Sequence, residues 1–172
     1  MPKMKSLLKY CIALLVCTTL LGVNHPTTVF AALEPNNGSY KIKCVGTGQY
    51  LTVSNGAIVM STAGTTFYVQ DTEPSPSVSW FSITYGDKAL SFSNKDGNAA
   101  LPYLISGSVD YGATNYTQYT YQRFKFGKTA SGYNIHSIAF GNNTDKRVLT
   151  VENGTLCLRK ANGSLNQVFT LE

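Results

Sequence analysis

Tyr50-Leu51-Thr52-Val53-Ser54-Asn55-Gly56-Ala57-Ile58-Val59-Met60 recurs, in pattern and partly in residues, as Val148-Leu149-Thr150-Val151-Glu152-Asn153-Gly154-Thr155-Leu156-Cys157-Leu158. Each copy is a short β-rich run, an Asn-Gly pair and a second apolar run. Asn and Gly both tolerate the positive φ that a two-residue hairpin turn demands, so each copy reads as a tight β-hairpin. A third, more divergent copy runs from Ala89-Leu90-Ser91-Phe92 through Asp96-Gly97 to Ala99 and Tyr103.

The flanks repeat as well. Tyr40-Lys41-Ile42-Lys43-Cys44, Trp80-Phe81-Ser82-Ile83 and Tyr133-Asn134-Ile135 precede the hairpins, and Phe67-Tyr68-Val69, Phe124-Lys125-Phe126 and Phe169-Thr170-Leu171 follow them. The Leu-to-Phe intervals are 16, 34 and 20 residues, which places an insertion in the second repeat between Leu104 and Tyr121. The repeats span about 38–71, 78–128 and 131–172. No four-stranded unit of this size closes a core alone. Three stacked about a pseudo-threefold axis bury the Leu and Phe rows together and leave few free strand edges. The expected fold is all-β, a single β-trefoil of three four-stranded repeats occupying residues 33–172.

Composition agrees. From Leu33 onward there are 15 Thr, 14 Ser, 14 Gly and 12 Asn, and no stretch keeps apolar residues at helical spacing over three turns. With 43% hydrophobic, 13% charged and 12% aromatic residues, the 172-residue chain is neither a disordered polymer nor a coiled coil. Thr72 to Ser79, with Pro74 and Pro76, reads as a connector within the one domain.

Residues 1–32 read as a cleaved secretory signal peptide. Lys3, Lys5 and Lys9 form a positive n-region, Cys11 to Val23 an apolar stretch short for a membrane span, and Val29-Phe30-Ala31 a cleavage site. Without this segment the formal charge falls from +5 to +2, with 11 bases against 9 acids and no basic cluster. The electrostatic footprint of a nucleic-acid binder is therefore missing. The expected product is a secreted monomer of a Gram-positive bacterium with no membrane span. Cys44 and Cys157 remain after cleavage and could form one disulfide in an oxidising compartment. Alternatively Cys44, sharing strand parity with Tyr40 and Ile42, is a small buried hydrophobe.

Asn37-Gly38-Ser39-Tyr40-Lys41-Ile42, Gly48-Gln49-Tyr50-Leu51-Thr52-Val53, the closing Asn162-Gly163-Ser164-Leu165-Asn166-Gln167-Val168-Phe169 and the related Gln122-Arg123-Phe124 carry a family likeness. Together they resemble the repeats of ricin-B-type and fascin-like β-trefoils over nearly the whole of residues 33–172. The resemblance to the lectins implies a sugar site built from an Asp on the second strand of a repeat, an aromatic on the third and an Asn-Gln pair before the last. Carboxylate and amide serve the sugar hydroxyls, and a flat ring covers the apolar face of the pyranose. This chain departs from that pattern: the Asp positions carry Thr52, Ser91 and Thr150, and the aromatic position of the third repeat falls on Arg159. Asn166 and Gln167 remain in the third repeat, while the second keeps both a ring, Tyr103, and an amide, Gln122. Either Gln serves a ligand or braces loop backbone.

The insertion of the second repeat contains Tyr111, Tyr116, Tyr119 and Tyr121 among Gly, Ser, Thr and Asn, the mixture of a binding loop. Its rings either stand exposed to a partner or fold onto the barrel.

No catalytic group, metal site or cofactor is expected. His136 is the sole histidine after residue 32 and reads as an ordinary strand residue, no G-x-S-x-G elbow is present, and Asp71 and Glu73 sit in the connector. Two functions are compatible with these residues. One is a carbohydrate-binding, lectin-like module for an extracellular glycan or glycoprotein. The other is a protein-interaction module on the same scaffold, such as an adhesin, toxin accessory component or protease inhibitor. Actin bundling, which the fascin-like resemblance brings to mind, suits a single exported domain poorly.

Overall fold

Asn55 and Asn153 adopt φ of 50° and 51°, and the glycines that follow them, Gly56 and Gly154, adopt 77° and 73°. This is the positive-φ pair of a type I′ hairpin, whose twist matches that of the flanking strands. The computed structural model describes residues 34–72, 79–92, 102–106, 122–138 and 147–172, and the Asp96-Gly97 turn lies outside these.

Within the described residues the chain forms four strands in each of three successive groups. The first contains β1 (Gly38–Cys44), β2 (Tyr50–Ser54), β3 (Ala57–Ser61) and β4 (Thr66–Asp71). The second contains β5 (Phe81–Tyr85), β6 (Lys88–Phe92), β7 (Pro102–Ser106) and β8 (Phe124–Lys128). The third contains β9 (Tyr133–Ser137), β10 (Arg147–Glu152), β11 (Thr155–Lys160) and β12 (Phe169–Leu171), with a 3-10 turn at Leu165–Gln167.

The outer strands of each group pair in a ring. β1 pairs β4, β4 pairs β5, β5 pairs β8, β8 pairs β9, β9 pairs β12, and β12 returns to β1. All six junctions are antiparallel, so the ring is a closed barrel without a free edge. The inner strands form three hairpins, β2–β3, β6–β7 and β10–β11, each joined to the barrel through the first strand of its own group. That is the threefold plan the repeats require.

Register explains why Leu and Phe recur. Leu51 lies opposite Met60, Leu90 opposite Leu104, and Leu149 opposite Leu158. Phe67, Phe124 and Phe169 are fully buried, as are Ile42, Ile83 and Ile135 at matching places on the barrel strands. Each such side chain contributes roughly 1.5–3 kcal/mol through removal from water. Phe126 meets Phe81 and Tyr133 edge-on at 5.1 and 5.7 Å, and Phe92 meets Phe124 in the same manner at 6.1 Å, the geometry that the aromatic quadrupole favours.

The first and last strands are locked together. The Lys41 N–H donates to the Glu172 carbonyl at 2.7 Å, and the Glu172 N–H donates to Lys41 at 3.0 Å. The 3-10 turn docks on the β1–β2 connection, where the N–H groups of Val45 and Gly46 donate to the carbonyls of Val168 and Leu165. Gly46 has to be glycine for space: a Cβ there would stand 2.7 Å from the Asn166 backbone nitrogen and 2.8 Å from the Leu165 carbonyl carbon. The connector's described ends are tied as well, Thr72 donating from both N–H and hydroxyl to the Trp80 carbonyl.

Candidate functional site

Three equivalent positions on β2, β6 and β10 are those where the lectin resemblance implies an Asp. Each holds a hydroxyl, and each hydroxyl lies within hydrogen-bond reach of the carbonyl two residues earlier: Thr52 of Tyr50, Ser91 of Ala89, and Thr150 of Val148. A short side chain on a strand has little alternative, because its own backbone offers the nearest acceptor. Thr52 also bonds the Ser61 hydroxyl at 3.0 Å and the Ala63 carbonyl. The places that would carry a sugar-binding carboxylate are thus turned back onto the scaffold.

The third repeat is occupied further. Gln167 is fully buried, and its Nε2 donates to Thr150 Oγ1 at 3.1 Å and to the Lys160 carbonyl at 3.0 Å. Its Oε1 accepts from the Asn162 N–H at 2.8 Å, and its backbone carbonyl accepts from Asn134 Nδ2 at 2.7 Å. Every polar atom of that side chain is spent on the protein. Of the two roles open to it, Gln167 fills that of a brace. Its neighbour Asn166 sits against Gly46, and its N–H is capped by the Ser164 hydroxyl at 3.2 Å.

The second repeat differs. Gln122, two residues before Phe124 as Gln167 is before Phe169, is about nine-tenths buried, with 9% of its surface accessible. Its Oε1 has no hydrogen-bond partner among the described residues. A buried amide oxygen left without a donor costs about 1–3 kcal/mol, so it is a place where an incoming hydroxyl gains most. Tyr103 on β7 stands directly opposite Ser91 on β6 and exposes 37% of its surface. Tyr111, Tyr116, Tyr119 and Tyr121 lie outside the described residues.

The register corrects one assignment. The residue opposite Thr150 is Cys157, and the one opposite Thr52 is Val59, so these match Tyr103, while Arg159 lies opposite Val148. The third-repeat position is therefore Cys157, two residues before Arg159 on the same strand. Arg159 is engaged by the Glu152 carboxylate on the neighbouring strand.

Both cysteines are buried and free, so the candidate bridge is not formed. Cys44 Sγ lies against the carbonyls of Leu165 and Asn166 at 3.9 and 3.7 Å, and Cys157 Sγ against that of Thr150 at 3.5 Å. Burial pushes the Cys157 thiol above its ordinary value, opposed by nearby Arg159 and assisted by Glu152.

One feature was not anticipated by residue patterns. An open depression of about 650 Å³ lies at the boundary of the first two repeats, lined by Val53, Asn55 and Gly56 on one side and Tyr85 to Lys88 with Leu104 on the other. It joins two turns some thirty residues apart. An exposed ring directly before the Gly86-Asp87 turn is the signal that would have marked it. Among the described residues no helix is long and apolar enough to cross a membrane, and no group of three or more His, Cys, Asp or Glu is placed to hold a metal ion.

No protein-family model and no curated protein matches this chain. Solved structures do. The designed threefold-symmetric protein ThreeFoil aligns with a TM-score of 0.60 at 20% identity, covering 78% of this chain and 98% of that one. The BEL β-trefoil aligns at 0.58 and 14% identity, covering 87% and 99%, and the Rhizoctonia solani agglutinin at 0.58 and 13%, covering 82% and 98%. These likenesses agree with the closed six-stranded ring and its three hairpins. The chain has the fold of a β-trefoil.

Proposed function

We propose that this protein is a secreted, non-catalytic carbohydrate-binding module that recognises an extracellular glycan or glycoprotein through its middle repeat. One contrast carries the reading. Gln167 spends its whole amide on the scaffold, whereas the equivalent Gln122 has a buried oxygen with no partner among the described residues. Tyr103 supplies the half-exposed ring of the same repeat. A ring and an amide, in a repeat whose Asp position carries Ser91, suit stacking on a pyranose with a hydroxyl donated inward. Affinity per site is modest on this reading, because the charge-assisted bonds of an Asp are missing. The tyrosines at 111, 116, 119 and 121 and Asn166 belong to the proposal as further contacts, whereas the Gln167 amide is engaged by the scaffold.

Export belongs to the same proposal, supported by the Lys3–Lys5–Lys9 cluster and the apolar stretch that follows. Amino-terminal sequencing of protein recovered from culture medium should begin after Ala31 or Ala32.

A glycan array probed with wild type and Tyr103→Ala tests the binding. Signal on a defined set of glycans, lost in the variant, is the expected result. Binding of the wild type to no glycan, together with capture of a defined extracellular protein, would replace this reading with that of a protein-interaction module.

A further inference from the structure

We infer that the depression between the first two repeats is a second saccharide site, separate from Tyr103 and Gln122, and shaped for an uncharged sugar. The ligand class rests on the carbohydrate reading above; the location rests on geometry alone.

The β5–β6 turn builds one wall. Gly86 adopts φ of 59°, which allows a two-residue turn to set Tyr85 directly opposite Lys88 with Asp87 at the tip. Tyr85 rests on the fully buried Phe67, ring centroids 6.2 Å apart and planes inclined by 59°, yet exposes 43% of its surface. A ring held on one side and open on the other stacks a pyranose without first losing rotamer freedom. The β2–β3 turn builds the facing wall with Asn55 and Gly56, and Val53 and Leu104 supply apolar surface for the C–H face of a sugar. Around Gly56 and Gly86 no heavy atom beyond the glycine and its chain neighbours lies within 4 Å of where a Cβ would sit, so a ligand can reach backbone there.

Polarity decides the class. Asp87 and Lys88 form no ion pair among the described residues, although each lines the depression. One carboxylate and one ammonium leave the lining neutral, so an anionic ligand gains at Lys88 what it loses at Asp87. Hydroxyls can donate to Asp87 and accept from Lys88, while Asn55 does both. A volume of about 650 Å³ is the size of a small-ligand pocket.

Among the described residues, an exposed ring at this place in a repeat is found only at this boundary. By register the residues equivalent to Tyr85 are Cys44 and Ser137, both buried. The turn after Cys44 is already covered by Leu165 and Asn166. Neighbouring side chains on a strand point to opposite faces, so Leu104 lines this depression while Tyr103 faces away from it.

The test is a ¹⁵N NMR titration of the secreted chain with methyl glycosides of galactose, glucose and mannose, and of glucuronic acid as the anionic comparison. Saturable shifts of the Gly56, Gly86 and Asp87 amides with at least one neutral glycoside are expected. Asp87→Asn, which suits the turn as well as Asp does, should weaken that binding about tenfold. Tyr85→Ala should abolish it and Tyr103→Ala leave it intact. Shifts confined to residues around Tyr103 and Gln122 overturn this inference while upholding the middle-repeat site. Loss of all binding in Tyr85→Ala alone, with Tyr103→Ala unaffected, upholds the inference and removes the middle-repeat site. Response only to the glucuronide, or no shift at Gly56, Gly86 and Asp87 with any glycoside, also overturns it.

Discussion

The Gln167 side chain reaches across from the 3-10 turn to the Thr150 hydroxyl on β10, 3.1 Å away, and ties two segments of the third repeat that share no strand pairing. Removing that amide strands the Asn162 N–H and the Lys160 carbonyl as well. Gln167→Ala should therefore destabilise the fold by about 2–3 kcal/mol in urea denaturation, with glycan binding unchanged. A neutral effect on stability accompanied by lost binding would return Gln167 to the ligand.

The Leu row supports a symmetric expectation. Leu51, Leu90 and Leu149 are fully buried at matching places, so Leu→Ala at each should cost about 2–5 kcal/mol. The three losses should agree more closely with one another than with other core substitutions. Denaturation midpoints of the three variants measure this, and one position tolerating alanine freely would show that the repeats do not share their interior equally.

A clasp at the domain's ends titrates. Tyr50 donates its hydroxyl to Glu172 at 2.7 Å, while Lys43 approaches the same carboxylate at 3.4 Å and lies 5.0 Å from the Tyr50 ring centre. The Tyr50 hydroxyl, aided by Lys43 and Thr170, holds the Glu172 carboxyl below its ordinary 4.5, and Tyr50 and Glu172 hold Lys43 above its ordinary 10.5. The carboxylate's contribution is present above its unfolded pKa and vanishes as pH falls through the lower folded value. That of Lys43 is complete below 10.5 and vanishes as pH rises through its higher folded value. Melting temperatures of wild type and Glu172→Gln should differ slightly at neutral pH and converge in acid, with the gap shrinking in salt. An equal gap at about pH 7 and about pH 2 would separate Glu172 from the clasp.

Both thiols should be protected. Cys44 and Cys157 are buried, and the Cys157 thiol is pushed up, so native protein should alkylate slowly at both positions and fast in urea. Peptide mapping after iodoacetamide reads this directly, and reducing agent should leave the melting temperature unmoved. Native labelling at either position as fast as in urea would contradict the packing around it.

Much of the architecture was legible because it depends on local chemistry. Asn55-Gly56 and Asn153-Gly154 announce their turns through φ alone, and the spacing of Leu51, Leu90 and Leu149 from the following Phe announces the repeat. The site was less legible. Gln122 and Gln167 stand in the same short motif, and only their partners separate a brace from an unpaired acceptor. Arg159 was misplaced because pairing across the Asn153-Gly154 hairpin sets Cys157, and not Arg159, opposite Thr150. Tyr85 passed unnoticed because its cleft draws on two turns brought together by the β4–β5 pairing, which no short stretch of sequence encodes.

The pairing of β1 with β12 has a consequence for biogenesis. Until Phe169–Leu171 has been synthesised, β1 lacks one neighbour and the barrel is an open sheet with unsatisfied edges. The barrel of a nascent chain thus stays open until β12 has been made. The same junction brings the domain's two ends side by side, so the ring should tolerate being cut at Asn153-Gly154 and rejoined through a short linker between Gly38 and Glu172.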